Sequence, residues 1–134
     1  MGSVKETGFL LQRAHRRLRQ AHNEALRPMD MSIVHVAVLG LVTTQGPMSQ
    51  QKLIELLDVD KSTMVYIIDA LEKQGLAERR PDPQDRRAYE IHLTPAGFIR
   101  LAEAGRIVKA VEDDFLKPLS AAEKKQFNAL LQKL

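Results

Sequence analysis

Apolar residues return every third or fourth position through most of this chain. From about Lys5 to Leu26, Leu11, Ala14, Leu18, Ala21 and Ala25 form one such stripe, which predicts an amphipathic helix. Pro28 closes it, because the residue before a proline is driven out of the helical region. The following IVHVAVLGLV, from Ile33, is apolar almost all round, and a helix of that kind belongs in the middle of a core. Ser32 is placed to cap it and Gly46-Pro47 to end it. Ser49 is a cap for a short helix, QQKLIELL, after which Asp58-Val59-Asp60 turns the chain. Asp60 then caps a helix running from Lys61 to Gln74, which Gly75 terminates.

The period next falls from 3.6 to 2. LAERR, from Leu76, and YEIHL, where Tyr89, Ile91 and Leu93 alternate against Glu90 and His92, predict two short strands of a β-hairpin. Pro81 and Pro83 lie between them; lacking amide donors, they are expected in the loop and not in a paired strand. Thr94-Pro95 opens a long helix reaching about Leu116, with Leu101, Ala104, Val108, Val111 and Phe115 as its stripe. Pro118 stops it, and SAAE from Ser120 to Glu123 has capping-box spacing for a last helix bearing Phe127, Leu130, Leu131 and Leu134.

Two helices of roughly 8 and 14 residues joined by about 3 or 4, followed by a hairpin, have the dimensions of a winged helix-turn-helix. The expected fold is mainly α with a small β-hairpin wing, flanked by N- and C-terminal dimerisation helices. Residues 1–30 would supply the first of these. The winged helix-turn-helix lobe would span 31–95, with its recognition helix at about 61–74 and its wing at about 76–93, and 96–134 would complete the dimerisation helices. The flanking stripes lie outside a small winged-helix core and need burial, which a twofold interface or an intramolecular bundle could provide.

On the fourth helix, Met64, Ile67, Ile68 and Leu71 share one face and must pack inward, which leaves Ser62, Tyr66, Asp69 and Lys73 outward with Thr63 on a shoulder. A helix in the major groove reads bases with its N-terminal outward side chains, and short hydroxyls suit that task. Lys61, Ser62, Thr63 and Tyr66 are therefore the candidate contacts; an ordinary solvated helix face is the other reading. Asp69 sits badly near phosphates unless paired, with Lys73 one turn on or with a cytosine amine. Residues 52–73 hold three Lys against five Asp or Glu, so positive charge must come from elsewhere. The segment RRPDPQDRRAY, in which Arg79 and Arg80 finish the strand and PDPQDRR forms the loop, supplies it. Asp82 and Asp85 suit turn positions, and Arg86 and Arg87 can project from the tip into a minor groove. Asp85 is close enough to hold one of them by a bidentate pair.

Composition narrows the function classes. With 134 residues and 44% hydrophobic content the chain makes one domain, and a net charge of +3 permits nucleic acid without demanding it. The absence of Cys removes thiolate metal sites, thiol nucleophiles and thiol oxidation. No Gly-rich phosphate loop, GxSxG or HExxH occurs, so no enzyme is expected. The histidines lack metal-site spacing, and no metal or other cofactor is expected; His15, His22 and His35 are taken as hydrogen-bonded or interface residues. With no apolar run long enough for a membrane helix and no signal-peptide pattern at the start, a cytoplasmic protein without a membrane partner is expected.

The run VDKSTMVYIIDALEKQGLAERRPDPQDRRAYEIHLTPAG, Val59 to Gly97, resembles the MarR (multiple antibiotic resistance regulator) family of bacterial transcription factors. LEKQGLAERR, DPQDRR and LTPAG follow in the family's order, and the flanking helical regions match its dimerisation helices in position and length. The resemblance implies a homodimeric repressor in the family's manner, whose two lobes each read half of a pseudo-palindromic duplex DNA operator. It implies Arg87 as the minor-groove arginine, Asp85 as its tether and Arg86 beside it. It also implies a small aromatic or phenolic effector in a crevice that Leu10, Leu11, His15, His35 and Leu39 could line. The alternative is a winged-helix module for protein interaction or RNA binding, with the wing arginines mere solvent-facing charge.

Overall fold

The computed structural model describes residues 3–134, with side chains from residue 6 onward. Helix α1 (Ser3–Leu26) runs through a 3-10 turn (Arg27–Met29) into α2 (Ile33–Gln45). A two-residue strand β1 (Met48–Ser49) precedes α3 (Gln50–Leu57) and α4 (Lys61–Lys73). Strands β2 (Ala77–Pro81) and β3 (Tyr89–Leu93) follow, then α5 (Pro95–Phe115) and α6 (Ala121–Gln132). This is the mainly helical winged helix-turn-helix that the periodicities predict.

Helices α2 to α6 each begin where a side chain can take up an orphan amide. Ser32, Ser49, Asp60, Thr94 and Ser120 all accept from the backbone three residues on. Ser120 and Glu123 complete a reciprocal capping box, and so do Ser32 and His35, whose Nδ1 accepts from the Ser32 amide at 3.0 Å. Asp58 makes the α3–α4 turn in the left-handed conformation, φ 50°, a region that Asp tolerates better than most residues.

Val38 and Leu39 of α2, Leu53 of α3, Met64, Ile68 and Leu71 of α4 and Ile91 of β3 are fully buried and pack as one core. The apolar girth of α2 thus serves as predicted, with α1, α3, α4, α5 and β3 all packed against it. Helix α5 lies against α1 and α2; Ala104 is buried and Leu101 and Val108 pack on the core. Helix α6 buries none of its residues in this chain.

The hairpin carries two departures from expectation. Met48 and Ser49 pair antiparallel with Ile91 and Glu90, so the sheet has three strands in the order β1-β3-β2. Pro81 belongs to β2, opposite Tyr89, and not to the loop. The reason is register. Asp82 donates its amide inward to Ala88 O and Arg79 donates its amide outward to Glu72. Alternation therefore turns position 81 outward on the free edge of β2, where a missing donor costs nothing.

The start of α5 is fixed against the α4–β2 connection. Thr94 donates its hydroxyl to Gly75 O at 2.6 Å, and the Thr94 amide donates to Leu76 O at 3.1 Å. Gly97 passes so close that a Cβ there would sit 2.1 Å from Leu76 O.

Candidate nucleic-acid interface

Helix α4 is anchored by Met64, Ile67, Ile68 and Leu71, all buried, so its opposite side must face solvent. Lys61, Ser62 and Thr63 are exposed on the first turn, and Tyr66 is 72% exposed. Asp60 Oδ1 accepts from the Thr63 amide at 2.7 Å and from Ser62 Oγ at 2.9 Å. Those bonds, the Thr63 amide foremost, hold the Asp60 carboxyl below its ordinary range. They also commit the Ser62 hydrogen to Asp60, so that Ser62 presents an acceptor oxygen outward.

The wing tip is folded by its two aspartates. Asp82 Oδ1 accepts from the Gln84 amide at 2.9 Å and Asp85 Oδ1 from the Arg87 amide at 3.0 Å. Asp85 therefore braces Arg87 through its backbone, where sequence reasoning expected a bidentate pair with a guanidinium. An Asx turn two residues long is the shorter closure and leaves the cationic head unconstrained. Arg86 and Arg87 are both exposed and neither forms an ion pair among the described residues. Arg87, Lys61, Gln50 and Tyr89 line a cleft of about 410 Å³ between the wing and the starts of α3 and α4. Of the six predicted polar contacts, Lys61 and Arg87 thus border one cleft, while Ser62 and Thr63 follow Lys61 on the first turn of α4 and Tyr66 lies one turn further along.

Asp69 does not pair with Lys73. Its carboxylate meets Arg79 Nη1 at 2.8 Å. Glu72 grips the same arginine twice, Oε1 on the guanidinium and Oε2 on the Arg79 amide at 3.2 Å. Arg80 pairs with Glu78. Strand alternation in LAERR does not single Arg79 out; what marks it is its position on the outward edge of β2, facing Asp69 and Glu72 of α4.

The five predicted crevice residues do not share one cavity. Leu39 is fully buried and Leu10 is exposed. Leu11 and His15 border a gap of about 270 Å³ among α1, α5 and α6, and His35 borders a separate depression with Asn23 and Asp30. His15 also lines a 290 Å³ cavity with Arg19, His22, Ile33, Val34 and Leu57. His22 is 7% exposed, and its Nε2 has no hydrogen-bond partner among the described residues. Burial pushes its pKa below the ordinary 6.5, opposed by Glu112; burial does the same at His35, opposed by Asp30.

The model of the MarR family matches residues 31–89, from the approach to α2 to the first residue of β3. The transcriptional regulator HosA of Escherichia coli is 31% identical over 105 residues, 78% of each chain. The chain belongs to the MarR family. A regulatory protein for the hcr operon, described as putative, of Thauera aromatica is 36% identical over 97 residues, 72% of this chain and 58% of that protein. A crystal structure of an E. coli MarR mutant complexed with operator DNA superposes with a TM-score of 0.83 at 25% identity, covering 98% of this chain and 94% of that one. The protein is a MarR-family transcriptional regulator and not an enzyme. No single helix among the described residues is long and apolar enough to cross a membrane.

Proposed function

We propose that this MarR-family protein is a cytoplasmic homodimeric repressor that binds pseudo-palindromic duplex DNA. In this reading residues 31–95 form the DNA-binding lobe and residues 1–30 and 96–134 join two copies. Helix α4 enters the major groove with Lys61, Ser62, Thr63 and Tyr66, and the wing carries Arg86 and Arg87 to the adjacent minor groove. The observation that carries it is the pair of exposed arginines, without an ion pair among the described residues, on a tip folded by Asp82 and Asp85. An operator-bound relative of the same fold supports the same mode of binding. The exposed Phe9, Leu10 and Leu11 of α1 and Phe127, Leu130 and Leu131 of α6 support the dimer, since so many large apolar side chains call for burial. A small aromatic or phenolic effector is the proposed release signal, and the two cavities that His15 borders, one with Arg19 and His22 and one with Leu11 and Phe115, are the candidate places for it.

Fluorescence anisotropy with the duplex upstream of the protein's own gene tests this. The expected result is tighter binding to that duplex than to random duplex, weakening steeply with salt as phosphate contacts release counterions. Arg87→Ala should cost about 1–3 kcal/mol. Equal affinity for both duplexes would refute the reading.

A further inference from the structure

The interface described above leaves the Arg79 cluster without a role. Arg79 is 20% exposed and stands between three elements. Its Nη1 meets Asp69 and Glu72 of α4, its amide is held by Glu72, and its Nη2 lies 3.5 Å from Gln50 Oε1 at the start of α3. A guanidinium is a planar fork able to serve several acceptors at once, which a lysine ammonium on a flexible stem does less well. The amide bond matters as much, since it closes part of the free edge of β2 and ties the strand backbone to α4. Asp69 lies one turn beyond Tyr66 on the outward side of α4 and is 61% exposed. An unpaired carboxylate there would repel a phosphate backbone; with Arg79 beside it, its charge is answered within the lobe.

We infer that Arg79 is a positioning residue for DNA reading. It locks the recognition helix to the wing, so that the first turn of α4 and the tip arginines meet their two grooves in one fixed geometry. Arg79 itself makes no contact with DNA, because its guanidinium is spent on Asp69 and Glu72. The inference rests on the DNA-binding reading above. Its consequence is that breaking the clamp lowers discrimination between sequences more than it lowers attraction to DNA in general, since misplaced helix and wing keep their charges but lose their joint register.

The test compares the parent with Arg79→Gln and with the double variant Asp69→Asn/Arg79→Gln. The double variant restores the charge balance of the cluster while leaving the clamp broken. The probes are a labelled duplex selected by the parent from a random-sequence library and a scrambled duplex of equal length. Circular dichroism and thermal melting establish that each variant is folded, and Arg79→Lys serves as a milder lesion should Arg79→Gln fail to fold. In the double variant the selected-to-scrambled affinity ratio is expected to fall at least tenfold. The slope of log affinity against log salt should match the parent, since no phosphate contact is lost. An unchanged ratio in the folded double variant, or in Arg79→Lys if only that folds, overturns the inference. So does a shallower salt slope, which would make Arg79 a phosphate contact. If the parent itself selects no sequence, the DNA-binding reading fails first and takes this inference with it; selection by the parent with equal discrimination in the variant sinks the clamp alone.

Discussion

Gly97 shows how a single position can decide an element's placement. It lies in the first turn of α5, where alanine would ordinarily be favoured over glycine by about 1 kcal/mol. Here the methyl would fall 2.1 Å from the Leu76 carbonyl oxygen, and overpacking of that kind costs about 1–3 kcal/mol or more. The overlap outweighs the propensity, so Gly97→Ala should lower the midpoint of urea unfolding; an unchanged midpoint would show that α5 can move off Leu76 freely. His22 carries a second prediction. Burial holds its folded pKa below the unfolded value near 6.5, so the neutral ring is favoured by the fold. Its contribution is present above the unfolded pKa and is lost as pH falls through 6.5 toward the lower folded value. His22→Gln should therefore lose less stability than the parent between pH 7.5 and pH 5.5, measured by urea unfolding at each pH, and an equal loss would contradict the assignment. The LTPAG motif was readable as a helix start from its Thr-Pro alone. That Gly97 is required by Leu76 was not, because the contact joins positions 21 residues apart.

At the scale of elements, helices were legible because their caps and stripes are local. Ser32, Ser49, Asp60, Thr94 and Ser120 each act within three residues of themselves. Strand β1 was not legible, since two residues carry no period and exist as a strand only by pairing with β3. The wing was legible as a charged, proline-bearing hairpin, whereas the partner of each charge was not. Asp69 goes to Arg79 because the β2 register carries that arginine to α4, a fact settled by pairing and not by spacing. The division of labour in the wing yields a prediction. Asp85 serves only the exposed tip, so Asp85→Ala should leave the melting temperature nearly unchanged and weaken binding to the upstream duplex several-fold, read by anisotropy. Unchanged binding would show that the Arg87 amide needs no brace.

At the scale of the whole molecule, charge and apolar surface point to different partners. Residues 31–95, the proposed DNA-binding lobe, hold seven Lys or Arg against nine Asp or Glu, so that segment cannot attract DNA by net charge. What it offers is a local arrangement in which Arg79 and Arg80 answer carboxylates while Lys61, Arg86 and Arg87 remain unpaired among the described residues. The apolar excess sits at the other end, on α6, where Leu130 is 52% exposed and Leu131 42%. Under the proposed dimer, Leu130→Glu/Leu131→Glu should halve the mass found by light scattering at micromolar concentration and abolish tight operator binding. A parent protein that is already monomeric would refute that interface. Joining two lobes about a twofold axis sets their recognition helices about 34 Å apart, one turn of duplex. A hydroxyl-radical footprint of the parent on its own upstream DNA reads that geometry directly. The expected pattern is two protected half-sites spaced by about one turn, about 10 base pairs, with flanking minor-groove protections that disappear in Arg87→Ala. Uniform protection, or flanking protections that persist in Arg87→Ala, would contradict a winged-helix dimer reading DNA through α4 and the wing.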